Sequence, residues 1–140
     1  MVELRQEYRS ILVSGNRALA RSLLAHGMID DEQMEAANEK LIEAIESGNP
    51  RQMSLLNILV FEIKAFTESE YLDFVVREHG IGLLSLRNIV LRRFENELQD
   101  PERCWATWTV PFDQIGEYLL VGTAYYPSKP IVEHWESLAE

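Results

Sequence analysis

A pattern that occurs twice constrains this chain more than any other feature in it. Ile29-Asp30-Asp31-Glu32-Gln33-Met34 returns as Phe66-Thr67-Glu68-Ser69-Glu70-Tyr71. In each copy an apolar residue precedes a short polar acceptor, a Gln or Glu follows three residues on, and an apolar residue comes next. This is a capping box inside a hydrophobic staple, so each copy predicts a helix start. The offset from Ile29 to Phe66 also pairs Leu19 with Leu56, Leu23 with Val60, Leu24 with Phe61 and Ala37 with Phe74. The helix before each cap is therefore expected to match, and a duplicated helix-turn-helix unit follows.

Around that repeat the apolar spacing predicts about five helices. Leu4, Tyr8, Ile11 and Leu12 mark the first, with Gly15 placed to end it in a left-handed conformation. Asn16 can cap a second, carrying Leu19, Leu23 and Leu24 as far as Gly27. Asp30 opens a third, with Met34, Ala37, Leu41 and Ile45 inward and Gly48 at its end. Asn49-Pro50 is a helix-start signal for a fourth through Met53, Leu56, Leu59, Val60 and Ile63. Thr67 caps the fifth, whose Tyr71, Leu72, Val75 and Val76 form an apolar face before Gly80.

Beyond Gly80 helical period gives way to alternation and turns. The division expected is a helical repeat lobe over 1–82 and a small α/β lobe over 83–140. Leu83 to Leu86 predicts a short strand, and Asn88 caps a helix through Val90, Leu91, Phe94 and Leu98, broken by Asp100-Pro101. Cys104 to Val110 alternates as a strand, placing Trp105 and Trp108 on opposite faces. Pro111 to Gly116 connects it to an antiparallel partner over Glu117 to Tyr126, and Ile131, Val132, Trp135 and Leu138 mark a closing helix. The fold class expected is α+β: a helical bundle, then a β-hairpin with a short third strand and two helices.

At 140 residues a chain buries roughly 70% of the surface its unfolded state exposes, so no covalent staple is needed. The lone Cys104 cannot form an internal disulfide, and no secretory leader is legible, which predicts a reducing cytoplasm. No apolar run approaches the roughly 20 residues that span a bilayer, so direct membrane insertion is not expected. With 23 acidic against 13 basic side chains and a formal charge of −10, the chain repels phosphate backbones. Nucleic acid is disfavoured as a partner, whereas a basic protein fits.

Chemistry is sparse. His26 and His79 each precede a helix-ending glycine, where an imidazole complements the helix dipole. His134 lies between Glu133 and Trp135 with no second ligand at i+4, so it reads as a surface histidine and no metal is expected. Cys104 reads as a small buried hydrophobe, and nothing assembles a triad or an oxyanion site. Not an enzyme is therefore the expectation, without a cofactor; a small enzyme working through Cys104 or His134 ranks last. Of the aromatic set on the hairpin and last helix, Trp105, Trp108, Tyr125 and Tyr126 form the candidate interaction surface; burial under a neighbouring helix is expected first, a partner interface next and a stacking site for a nucleobase last.

Leu19-Ala20, Leu23, Gly27-Met28-Ile29-Asp30 and Gln33-Met34, echoed by Leu56-Asn57, Val60, Phe66-Thr67 and Glu70-Tyr71, resemble the N-terminal domain of type II secretion and type IV pilus assembly ATPases. His79-Gly80-Ile81 with Leu83-Leu84-Ser85-Leu86 resembles that family's exit into its first strand. Val110-Pro111, Tyr118 to Ala124 and Tyr126-Pro127 resemble its hairpin and the proline before its closing helix. The resemblance implies a non-catalytic domain that docks on protein partners such as secretion or pilus components and, in some members, binds cyclic di-GMP. No Gly-rich phosphate loop ending in Lys-Ser or Lys-Thr occurs, so the chain reads as a degenerate, stand-alone copy without the ATPase domain. The nucleotide-binding members carry Arg-Leu-Gly at the head of each repeat, where this chain has Ala18-Leu19-Ala20 and Leu55-Leu56-Asn57; Gly27 is kept, but Lys64 replaces its counterpart. A protein-interaction module, with a homodimer possible, is thus the first reading. A cyclic di-GMP-like sensor using Arg17, Arg21 and Gly27 is the alternative.

Overall fold

A computed structural model describes residues 5–49, 52–85, 87, 100–124 and 128–139. It is an α+β protein: α1 (Gln6–Ala25), α2 (Asp31–Ser47), α3 (Leu55–Asn57), α4 (Glu68–His79), α5 (Pro101–Thr107), a hairpin of β1 (Thr109–Ile115) and β2 (Tyr118–Thr123), and α6 (Lys129–Ala139). Both capping boxes form. Asp30 and Thr67 accept from the backbone N–H groups of Gln33 and Glu70, whose side chains accept in return from the N–H groups of Asp30 and Thr67. Gly48 and Gly80 close α2 and α4 in left-handed conformations.

The first two expected helices are one. Gly15 and Asn16 lie in the middle of α1, both buried. A Cβ at Gly15 would stand 3.2 Å from Ile131 Cδ1, so the glycine admits α6 instead of ending a helix. Asn16 donates from Nδ2 to the Leu12 carbonyl and accepts at Oδ1 from Leu55 N–H. It therefore satisfies an unpaired donor at the start of α3, a partner distant in sequence. The fourth helix starts later than Asn49-Pro50 implies: Ser54 is its cap, accepting from Asn57 N–H at 3.1 Å.

Directly after α3 the helix widens. Ile58–Glu62 form a π-turn, with Ile63 N–H bonded to the Ile58 carbonyl and Ala65 N–H to that of Leu59. In the first copy Met28 N–H bonds to the Leu23 carbonyl. Met28 matches Ala65 in the repeat, so Leu23 corresponds to Leu59 and not to Val60. The expected pairing is one residue out upstream of the turn, because the π-turn inserts one residue. Burial agrees: Leu19 and Leu23 share the core with Leu55 and Leu59, and only the flanks of the cluster hold Leu56 and Val60. Ile29, Phe66, Ala37 and Phe74 complete that core at the expected positions.

The second half departs further. The expected strand from Cys104 to Val110 begins as helix α5. Asp100-Pro101 starts it instead of breaking the chain, since Asp100 Oδ1 accepts from Glu102 N–H and proline occupies the first turn. The helix stops at Trp108, whose φ of 52° is left-handed, and β1 follows. Pro111, expected in the connection, pairs with Val121 inside the ladder; Phe112 is an extra, bulged residue before Asp113 pairs with Leu120. Leu83 to Ser85 carry no strand, and the described sheet has two strands. The helix expected from Asn88 to Leu98 lies outside the described residues. α1 serves both assemblies: its second half enters the repeat core, while its first half packs against α5 and α6.

Candidate functional site

Trp105 and Trp108 anchor a surface region where several elements converge on apolar side chains. With Trp105 in α5 and Trp108 at the left-handed residue that ends it, they do not lie on opposite faces of a strand, and the rings meet edge to face with centroids 5.4 Å apart. Trp108 is fixed from two sides: its Nε1–H donates to the Met53 carbonyl at 3.2 Å, and its own carbonyl accepts from Ala124 N–H. That bond ties the indole to the segment leading into α3.

Two grooves meet at this pair. The smaller, of about 370 Å³, runs between the α3 and π-turn face of Leu56, Val60 and Phe61, the start of α4 at Glu68, and Trp105 and Trp108. The larger, of about 750 Å³, opens on the other side between Ile81 to Leu84, the two tryptophans, and Val110, Phe112 and Val121 of the hairpin. Both volumes fall in the range of ligand and peptide clefts, roughly 300–1,000 Å³. Glu68 is the one charged residue among the described side chains lining either groove.

The π-turn explains why apolar residues stand here. One inserted residue rotates the preceding helix face by about 100° relative to the cap. Phe61 consequently stays 57% exposed, although the duplicated pattern matches it to a packed leucine. Leu83 and Leu84 are exposed across the larger groove. Insertions of this kind concentrate at functional sites.

Cys104 lines the larger groove, half-buried. Burial pushes its thiol up, so it stays protonated at neutral pH and is a poor nucleophile. Among the described residues no group of three or more His, Cys, Asp or Glu could hold a metal ion.

A polar knot lies behind α5. Arg5 pairs with Asp100 at 2.7 Å and Glu102 at 2.9 Å, and Tyr8 Oη donates to Asp100 at 2.6 Å. Burial pushes the Asp100 carboxyl up, but the Tyr8 hydroxyl, the Glu102 N–H and the arginines outweigh it and hold the group below its ordinary value. Arg103, only 5% exposed, donates from Nε to His134 Nε2 at 3.0 Å. The histidine read as a surface residue is thus an inward-facing acceptor. The spacing Ile131, His134, Trp135, Leu138 carries that signal once His134 replaces the exposed Val132 on the inner face.

The remaining candidates lie elsewhere. Arg17 and Arg21 are exposed, one turn apart on α1, and Gly27 is left-handed with open space where a Cβ would stand. None of the three lines either groove. Tyr125 and Tyr126 lie outside the described residues. His26 does act at a helix end, its Nδ1 bonded to the Ser22 carbonyl, and its Nε2 also reaches Glu78 at 3.1 Å. No helix among the described residues is long and apolar enough to cross a membrane. No family model, curated protein or solved structure matches the chain.

Proposed function

We propose that this chain is a non-catalytic protein-interaction module that works in the cytoplasm and docks an amphipathic helix of a basic protein partner in the grooves beside Trp105 and Trp108. The observation that carries the reading is the π-turn, which leaves Phe61 exposed, and Val60 and Leu56 only partly buried on the flank of the repeat core, opposite the tryptophan pair. Large apolar side chains around a groove, pinned at one wall by the Trp108–Met53 bond, are the arrangement by which a helix with anchors at i, i+3 and i+7 is gripped. Tryptophan at the centre of such a surface supplies most of the affinity. Charge selects the partner: Glu68 faces the groove and the chain as a whole is at −10, so a helix flanked by Lys or Arg is favoured over an acidic one. The sequence resemblance to the secretion and pilus ATPase N-terminal domains suggests a component of such a machine as the partner class.

Selection from a displayed library of helical peptides, basic and acidic in equal numbers, tests this. Basic peptides with two or three large apolar anchors should emerge, and Trp105→Ala or Phe61→Ala should weaken them at least tenfold, about 1.4 kcal/mol. Peptides unaffected by either substitution, self-association of the chain through this face, or micromolar cyclic di-GMP binding abolished by Arg17→Ala and Arg21→Ala would each overturn the proposal.

A further inference from the structure

Arg103 and His134 form a contact that works in one protonation state only. Arg103 Nε carries a hydrogen at every accessible pH, so His134 Nε2, 3.0 Å away, must offer its lone pair. The imidazole is therefore neutral with its proton on Nδ1. The guanidinium is enclosed by the Tyr8 ring at 6.0 Å and the Trp135 ring at 5.8 Å, and the His134 ring stands edge-on to Tyr8. A second proton on the imidazole would set N–H against N–H and a new cation against a buried one.

The surroundings decide where that proton binds. From α1, Glu7 favours the imidazolium, and Tyr8 is occupied by Asp100. From α5, Arg103 opposes it, and within α6 Glu133 is paired with Lys129 at 3.6 Å. Burial first, then Arg103, outweigh Glu7 and hold His134 below the ordinary histidine value. The sign follows. A histidine depressed in the folded state contributes its full stability above the unfolded value of about 6.5 and loses it as pH falls toward the folded value.

The contact joins α5 to α6, and α6 is itself seated on α1. α6 reaches α1 through Ile131 on Gly15 and reaches the start of β1, just past α5, through Trp135 Nε1–H, which donates to Thr109 Oγ1 at 2.9 Å. α5 turns Arg103 toward α6 and Trp105 toward the grooves, and Trp108 follows at its C-terminal end. We propose that the Arg103–His134 contact is a proton-sensitive lock: protonation of His134 releases α6 and loosens α5, which carries Trp105 and leads directly into Trp108.

The lock is independent of what occupies the grooves, and its test uses the free chain. Hydrogen exchange, corrected for intrinsic rates, is compared at about pH 7.5 and about pH 5.5 on either side of the histidine range. Protection across residues 129–139 should fall about tenfold in the wild type. In His134→Gln, whose amide oxygen accepts from Arg103 at both pH values, it should not change. An equal loss in His134→Gln, or no loss in the wild type, overturns the lock. Nitrogen-15 NMR of the wild-type imidazole supplies a check that needs no variant: the neutral ring must carry its proton on Nδ1, and an Nε2–H tautomer would refute the contact.

Discussion

The two copies of the repeat agree where they turn and disagree where they enter the turn. Both begin their second helix with a reciprocal capping box, and both place a left-handed residue at the matching position, Gly27 at φ 72° and Lys64 at φ 58°. Upstream, the first copy is the regular end of a 20-residue helix, whereas the second is a short helix widened into a π-turn. One copy presents its leucines inward and closes over them; the other, with one residue more, fills the same two core positions and still has apolar side chains left over. The difference shows how a duplicated unit gains a surface. The turn and cap hold the fold, so an insertion just before them is absorbed locally and rotates a helix face outward without moving the core.

The largest effects test the register. If the π-turn shifts the pairing by one, Leu59 and not Val60 is the counterpart of Leu23, and the two leucines should be equally costly to truncate. Both are fully buried. Leu23→Ala and Leu59→Ala are each expected to destabilise by about 3 to 4 kcal/mol, as cavity-forming substitutions in packed cores do. Val60→Ala should cost about 1 kcal/mol or less at a half-buried groove position. Urea unfolding with unchanged slopes measures all three, and a Val60 loss equal to that of Leu23 would break the one-residue shift.

The next effect concerns the residue that joins the copies. Asn16 stands on the first and bonds the backbone that starts the second, at 3.2 Å from Leu55 N. Asn16→Leu removes the acceptor while keeping the branched shape, which leaves a buried N–H without that bond, and should cost about 2 kcal/mol or more. Asn16→Asp, which keeps the acceptor but brings a charge into a buried site next to the Leu12 carbonyl, should be at least as damaging near neutral pH. A variant as stable as the wild type would show that the two copies pack without this link.

How much was legible follows from the range over which each signal acts. The caps at Asp30 and Thr67, the inward positions Ala37 and Phe74, and the hairpin partner β2 depend on neighbours a few residues away, and those expectations describe the fold well. Gly15 and Asn16 misled because their roles are tertiary. The spacing of local signals suggested a helix end and a cap, but Ile131 and Leu55 decide what they do. Cys104 to Val110 alternates well enough for a strand, yet Asp100-Pro101 nucleates a helix through most of it. Of the candidate surface, Trp105 and Trp108 were visible as composition, but the groove needed Phe61, Val60 and Leu56, displaced by a π-turn that leaves no mark in residue type. His134 escaped because its acceptor role depends on Arg103, which is distant in sequence.

The smallest effect is the sharpest test of common geometry. A side chain at positive φ costs about 1 to 2 kcal/mol through the contact of its Cβ with the following carbonyl oxygen, and Lys64 bears that strain where the first copy has a glycine. Lys64→Gly relieves it but enlarges the freedom of the unfolded chain by roughly 0.5–1 kcal/mol, so a net gain of about 0.5 kcal/mol is expected. Gly27→Ala should lose about 1 kcal/mol for the converse reason, although nothing stands within 4 Å of the added Cβ. Opposite signs at matching positions, read as shifts in the unfolding midpoint, would mean that the left-handed turn was kept through duplication and only its residue was exchanged. A loss at both would mean that the Lys64 side chain has taken up a contact its counterpart never had, and that the second turn, like the helix before it, has diverged.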